Sequence, residues 1–234
     1  GLQPADWDGV TEAIVDISYD PVVPMTASLQ KLAEAIGRER IRLALPAITR
    51  QWELAALKEK IAAFSGAGWN RWEFANLSGL THLAGPDRAS PDLASDWSIY
   101  VLNRAAALQV IEMGAGSFVL SPEDDFDNIR ELLTEFGERA VVPVYQDTPL
   151  FISETCPKAN SADGCVGNCR TCRNPTVELR SSAGEDVTVL SHECRTVVIS
   201  RKPFNLAPHL TALRDAGARR VRADFSWKPY GPAQ

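Results

Sequence analysis

The chain lacks the features that would assign it to a membrane, secreted or polyanion-binding class. None of its 234 residues falls in an uninterrupted apolar run of the roughly 20 that a membrane span needs. Its first residues do not show the basic-then-apolar order of a signal peptide, so we expect a soluble cytoplasmic protein. Lys and Arg number 24 against 30 Asp and Glu, and the short basic clusters 38–42 and 219–222 fit a solvated helix end or strand edge.

Histidine is scarce, and the residue patterns of common hydrolases are absent. The three histidines, His82, His192 and His209, form no His-Glu-x-x-His, and no Gly-x-Ser-x-Gly is present. His192 lies two residues before Cys194. That spacing fits either a Cys–His pair or a histidine that donates to a metal-bound sulfur.

From Glu12 to about Val144, apolar runs alternate with amphipathic helical segments, which is typical of repeated βα units around a parallel sheet. The predicted strands are Ala13–Ile17, Ile41–Ala47, Trp72–Leu77, Ser98–Leu102, Ser117–Leu120 and Ala140–Val144. The predicted helices include Ser28–Ile36, Trp52–Phe64 and one that begins at Ser121. We expect an α/β fold, a TIM-type β/α barrel that is incomplete at its N-terminus. The chain starts without Met, which suggests a piece of a longer protein.

A different pattern follows Gln146. It predicts strands at Thr148–Ser153, Val177–Arg180, Val187–Leu190 and Thr196–Ser200, then a helix at Ala207–Ala216 and a strand at Arg220–Phe225. The expected organisation is a barrel portion over 1–147, a Cys-rich antiparallel β insertion over 148–200, and a closing helix and strand of the barrel over 201–234.

All five cysteines lie in the second of these segments, at Cys156, Cys165, Cys169, Cys172 and Cys194. Thiols crowded in this way in a cytosolic protein are typical metal ligands. Zinc with four thiolates usually takes two Cys-x-x-Cys pairs, and only Cys169 and Cys172 form one. An iron–sulfur cluster accepts irregular spacing between its cysteines, because its ligands can come from separate loops. The spacing predicts a metal site and leaves an iron–sulfur cluster, zinc and redox thiols open.

Several segments share their order with one known family. They are Ser95–Ala106, Gly114–Ala115 with Phe118–Glu123, Tyr145–Cys156, Cys165–Cys169, Lys202–Leu206 and Arg222–Phe225. Together they resemble the collagenase-like peptidases, number thirty-two of the peptidases of unknown mechanism, over roughly residues 41–225. The chain departs from that family in lacking the opening strand and helix of its barrel and in having no cysteine before Cys156.

The resemblance implies a β/α barrel that carries a 4Fe–4S cluster. Members of the family are linked to oxygen-independent hydroxylation of ubiquinone precursors or of RNA bases, and others carry an older label of collagen-degrading peptidase. By position, Cys156, Cys165 and Cys169 match the family's cysteine loop. Either Cys172 or Cys194 would supply the fourth ligand.

Candidate substrate-binding and catalytic residues come from position and charge. Asn76, Asp96, Glu123 and Gln146 fall near predicted strand ends, where barrel enzymes bind their substrates. Carbonyl or carboxylate groups of a substrate would need amides and cations, for which the candidates are Asn103, Arg104, Arg195 and Lys202.

Two classes of function follow from these residues. The first is a cluster-dependent enzyme of the hydroxylase type that acts on a small molecule or RNA, with peptidase activity as the alternative from the family label. The second is a non-catalytic binding module that zinc or the cluster stabilises. A partner subunit, or the remainder of a longer chain, is expected in either case.

Overall fold

The computed structural model describes residues 7–18, 20–84, 90–156, 176–180, 182, 184–192 and 195–227. The chain divides into two compact units. The first consists of Gly1–Val142 and Leu213–Val221, and the second of Pro143–Ala212 and Arg222–Gln234. In the described part of the chain, no helix is long and apolar enough to cross a membrane.

The first unit is built on a strongly curled, half-barrel parallel sheet flanked by helices. Its parallel strands pair in chain order: β1 Ala13–Asp16, β2 Ile41–Ala44, β3 Arg71–Phe74, β4 Asp92–Ser95, β5 Ala115–Val119 and β6 Ala140–Gln146. The helices are α1 Val22–Ile36, α2 Leu54–Gly66, α3 Leu77–Leu83, α4 Arg104–Glu112, α5 Phe126–Phe136 and α6 Leu210–Asp215. The α/β class is confirmed.

Alternation along the strands gives the sheet two different faces. Ile41, Leu43 and Trp72 belong to one buried hydrophobic cluster with residues of α1 and α2. The alternate residues Arg42 and Glu73 are as deeply buried but point to the opposite face, which we call the inner face. The helices therefore cover one side of the sheet with apolar contacts, while the other side carries charged groups.

Strand register lines up one layer of the inner face across five strands. Its members, joined pairwise by the register, are Asp16, Ala44, Glu73, Ala94 and Ser117. The small residues of this layer alternate with the two carboxylates. The inner face is therefore polar at this level.

The amino ends of the strands carry a network of ion pairs centred on Arg42, whose side chain is 2% exposed. Its Nε donates to Glu12 Oε1 at 2.9 Å and its Nη2 to Asp92 Oδ1 at 3.0 Å, while its Nη1 donates to the carbonyl oxygens of Trp72 and Asp92. Arg71 pairs with the same two carboxylates. Buried charges persist only when they are paired in this way.

The second unit contains a four-stranded antiparallel sheet in the order β7-β10-β9-β8. Its strands are β7 Pro149–Ser153, β8 Val177–Arg180, β9 Asp186–His192 and β10 Arg195–Ser200. These four strands match the four predicted from the sequence. A short strand, β11 Phe204–Asn205, pairs antiparallel with the last residues of β6, and β12 Arg220–Ala223 also pairs with β6.

Two local predictions were wrong. Ser98–Leu102 is not a strand: β4 lies earlier in the chain, and Trp97–Ile99 forms a 3-10 turn because the Asp96 side chain accepts a hydrogen bond from Ser98 N. The helix predicted to begin at Ser121 begins at Phe126, since the side chain that caps it is that of Asp125. Helix α3 was not predicted from the sequence.

Candidate functional site

The loops that follow β2, β3 and β4 are joined by polar side chains at the carboxyl edge of the sheet. Asn76 caps α3 by accepting from Gly79 N, and its amide donates to the carbonyls of Pro46 and Ala47 in the preceding loop. Asn76 therefore has two structural roles: it caps α3, and it holds the loop after β3 against the loop after β2.

Asp96 directly follows β4 and is 8% exposed. Its Oδ2 lies 2.9 Å from Ser98 Oγ, and the same hydroxyl lies 2.7 Å from the carbonyl oxygen of Ala75. The contact joins the loop after β3 to the loop after β4. Asp96 thus lies at the carboxyl end of a strand, but that strand is β4 and not the predicted Ser98–Leu102, and its carboxylate orders the edge.

Asn103 and Arg104 have roles that explain them without a substrate. Asn103 caps α4, because its Oδ1 accepts from Ala106 N at 2.9 Å. The Arg104 guanidinium pairs with Glu135 on the neighbouring helix, where both side chains are largely exposed. The charge of Arg104 is therefore compensated by a carboxylate of α5.

Tyr100 and Glu123 connect the loops after β4 and β5. Tyr100 adopts φ 55° and ψ 55°, and it is the one non-glycine residue with positive φ in the part of the chain that the structure describes. This conformation costs a bulky residue about 1–2 kcal/mol. The phenol oxygen lies 3.3 Å from Glu123 Oε1, and Asn128 joins the same two loops by donating to the carbonyl of Leu102.

The surroundings of Tyr100 combine an aromatic neighbour with partial burial. The ring packs edge to face on Trp97 with centroids 6.0 Å apart, yet 45% of the residue remains exposed. Burial, and then the charge and hydrogen bond of Glu123, raise the pKa of the Tyr100 phenol above its ordinary value. The hydroxyl therefore stays protonated and donates to the carboxylate at neutral pH.

Tyr100 was not among the predicted site residues, because it lay within the predicted strand Ser98–Leu102. Glu12 and Asp92, which meet the arginines at the opposite end of the strands, were also not among them. The sequence feature that indicates this network is Arg42, an arginine inside an otherwise apolar strand.

Three predicted site residues belong to the second unit. Gln146 is buried at the end of β6 and donates from Nε2 to Thr148 Oγ1 at 2.7 Å. Arg195 pairs with Glu154, with Nε 3.0 Å from Oε1. Lys202 is exposed, and its backbone N–H donates to Ser200 Oγ.

Of the five cysteines, Cys156 is described and is half-buried just after β7. Cys165, Cys169, Cys172 and Cys194 lie outside the described residues. Within the described ranges, no three His, Cys, Asp or Glu side chains are grouped so as to hold a metal ion.

Three of the described residues that flank the cysteine-bearing segments share one end of the four-stranded sheet. Ser153, at the end of β7, pairs with Thr196, and His192 pairs with Arg195 across the β9–β10 connection. Val177, which opens β8, pairs with Val189, the middle residue of β9. Ser153, His192 and Arg195 therefore lie at one end of the sheet, and β8 begins three residues short of that end of β9.

Comparisons with known proteins add no assignment to this geometry. No family model, curated protein or solved structure matches the chain. A function must therefore be inferred from the chain's own residues.

Proposed function

We propose that this chain is an iron–sulfur protein whose second unit holds a 4Fe–4S cluster on cysteine thiolates. The single observation that supports the proposal is the register of the antiparallel sheet, in which Ser153, His192 and Arg195, which flank the cysteine-bearing connections, lie at one end. Ligands supplied by separate connections at one place suit a cluster better than two regular zinc knuckles.

Side-chain contacts support Cys194 as a ligand beside Cys156, Cys165 and Cys169. Thr196 donates from its hydroxyl to the carbonyl of Thr155, and Arg195 pairs with Glu154. Each of these contacts joins a near neighbour of Cys156 to a near neighbour of Cys194. In this proposal Cys172 is the spare thiol.

The donor set fits the group. Thiolates are the ligands that iron–sulfur clusters use, and Cys156 is partly shielded from solvent. When bound, such a cluster supplies one-electron transfer.

The reaction we propose is oxygen-independent hydroxylation of a small molecule or an RNA base, following the resemblance of the chain to the collagenase-like peptidases of unknown mechanism. Peptidase activity is the weaker alternative, because the sequence contains no hydrolytic motif. We also propose that the first unit is a TIM-type barrel completed by a partner subunit or by further chain. The ion pair between Glu12 and Arg220, which joins β12 to the residue before β1, supports a barrel-like closure of the sheet.

A zinc-stabilised binding module is the second candidate, favoured by the Cys-x-x-Cys spacing of Cys169 and Cys172. The chain should be purified without oxygen and analysed for iron, sulfide and zinc, with its visible absorbance recorded. We expect a brown protein with about four irons per chain. Stoichiometric zinc without visible absorbance would instead support the module, and a metal-free, colourless chain would refute both proposals.

A further inference from the structure

The ion pairs at the amino ends of the strands show that side chains of the inner face converge. Asp92 of β4 lies 3.0 Å from the Arg42 guanidinium of β2 and 2.8 Å from that of Arg71 of β3. The residues two positions further along each strand point the same way, about 6–7 Å closer to the carboxyl ends. They belong to one layer across five strands, which we call the polar layer: Asp16, Ala44, Glu73, Ala94 and Ser117.

The polar layer carries much less side-chain volume than the layer of ion pairs beside it. Strand β2 places Arg42 in the layer of ion pairs and Ala44 in the polar layer, and β4 likewise places Asp92 and then Ala94. Each alanine has only a methyl group, so these side chains leave room on both sides of Glu73. A concave surface with room between a few polar groups is a typical place for a small molecule.

Exposure to solvent falls along the polar layer from β1 to β5. Asp16 and Ala44 are half-buried, whereas Glu73 is 1% exposed and Ser117 is 4% exposed. The layer therefore has an accessible end at β1 and a buried end at β5. A ligand would enter beside Asp16 and extend toward Ser117.

The hydroxyl of Ser117 is the group that points to a ligand. It makes no hydrogen bond with any residue that the structure describes, although the residue is more than nine-tenths buried. Its neighbour Phe118 packs on Phe136 of α5, so Ser117 points away from the helices and into the inner face. Buried hydroxyls are nearly always hydrogen-bonded, because losing water without gaining another partner is unfavourable.

The charges of the polar layer select the chemistry of the ligand. Its five residues include two carboxylates, those of Asp16 and Glu73, and no Lys, Arg or His. Ionised carboxylates only accept hydrogen bonds, so the ligand must supply N–H or O–H donors, and a positive charge strengthens these bonds. Two strands separate the carboxylates, which places their Cα atoms about 10 Å apart with the methyl group of Ala44 between them. A short methylene chain with an amine at each end matches this spacing.

We propose that the polar layer binds a small linear diamine. One ammonium group contacts Asp16 at the accessible end, the methylene chain lies over Ala44, and the other ammonium group lies between Glu73 and the Ser117 hydroxyl. The site lies wholly within the first unit and does not depend on the cluster. Diamine binding and metal content are measured separately, so either proposal can fail without the other.

The probe is 1,4-diaminobutane, and 1,4-butanediol is its neutral counterpart of the same length. Isothermal titration of the full chain should show saturable binding of the diamine, at least about tenfold tighter than that of the diol. Equal affinity for the two compounds, or no binding of the diamine, would overturn the proposal.

A matched pair of serine variants tests the buried end. Ser95 is also fully buried and its hydroxyl has no hydrogen-bond partner in the described part of the chain, but it follows Ala94 and so points to the helix-covered face. Ser117→Ala should weaken diamine binding about fivefold, while Ser95→Ala should leave it unchanged. Both variants should keep the urea midpoint of the wild type, because neither removes a hydrogen bond within the chain.

Glu73→Gln should weaken diamine binding about tenfold or more, since it removes the charge at the buried end. The serine pair decides the assignment even if this variant folds poorly. Unchanged affinity in Ser117→Ala, or equal losses in the two serine variants, would overturn the proposed site.

Discussion

Glu12 and Arg220 are separated by 208 residues along the chain, yet Oε2 of the first and Nη2 of the second lie 3.2 Å apart. Glu12 precedes the first strand of the sheet, and Arg220 opens its last. The same carboxylate also pairs with Arg42 and Arg71. One acidic side chain thus joins both edges of the curled sheet to two of its inner strands.

Removing the charge of Glu12 should destabilise the first unit. Glu12→Gln leaves the buried guanidinium of Arg42 with less compensation, and breaking a buried ion pair from one side typically costs about 3–5 kcal/mol. We expect a loss of about 2–4 kcal/mol in the free energy of unfolding, measured in urea. Asp127→Ala, which breaks the exposed pair with Arg130, is the control and should cost under about 1 kcal/mol. Equal effects of the two variants would mean that the network is not essential.

Stability should also fall in acid because of Asp92. Burial alone would raise the pKa of this carboxyl, but the charges and hydrogen bonds of Arg42 and Arg71 outweigh it, so the pKa lies below its ordinary value of 3.8. A carboxyl whose pKa is lower in the folded state binds fewer protons there, so its stabilising contribution is complete above pH 3.8 and is lost as the pH falls.

Urea unfolding at several pH values below 5 tests this dependence. Asp92→Asn should be less stable than the wild type at neutral pH and should lose less stability on acidification, so the two curves converge. Parallel curves would show that Asp92 does not contribute to the acid sensitivity.

Replacing each of two glycines that have ordinary backbone angles by alanine should change the stability of the chain in opposite directions. Gly137 follows α5 with φ −50°, so its backbone accepts any residue, but a Cβ there would lie 2.7 Å from the carbonyl oxygen of Gly217 and 2.8 Å from that of Leu133. Gly66, in the last turn of α2, has open space around the same position.

Gly137→Ala should therefore destabilise the chain by about 1–3 kcal/mol, because the backbone must move to admit the methyl group. Gly66→Ala should be neutral or stabilise it by up to about 1 kcal/mol through better helix propensity. Thermal and urea unfolding compare the two directly. A stable Gly137→Ala would show that α5 and the residues after α6 can separate at little cost.

The sequence predicted the elements whose hydrophobic pattern is strong. Five of the six parallel strands, and all four strands of the second sheet, lie within a few residues of their predicted positions. The strand predicted at Ser98–Leu102 failed because β-branched and aromatic residues there resembled a strand, whereas Asp96 closes a turn whose hydrogen bonds are local. The hydrophobic period of the sequence does not reveal where a side chain competes with strand pairing for backbone hydrogen bonds.

The candidate site was less predictable than the fold. Asp96 and Glu123 follow β4 and β5 at the carboxyl edge of the sheet, since parallel strands bring their carboxyl ends together. The role of Tyr100 depends on a left-handed backbone and on a contact between two loops, neither of which has a pattern in the sequence. The ion pairs of Glu12 likewise depend on the curl of the sheet, which places residue 220 beside residue 12.

The metal content of two cysteine variants tests the central proposal most directly. Cys194→Ser and Cys172→Ser should be purified anaerobically beside the wild type, and iron per chain and visible absorbance measured for each. We predict that Cys194→Ser loses most of its iron and its colour, while Cys172→Ser keeps about four irons per chain, as the wild type does. Full iron content in Cys194→Ser, or a wild-type chain that binds only zinc, would contradict the account.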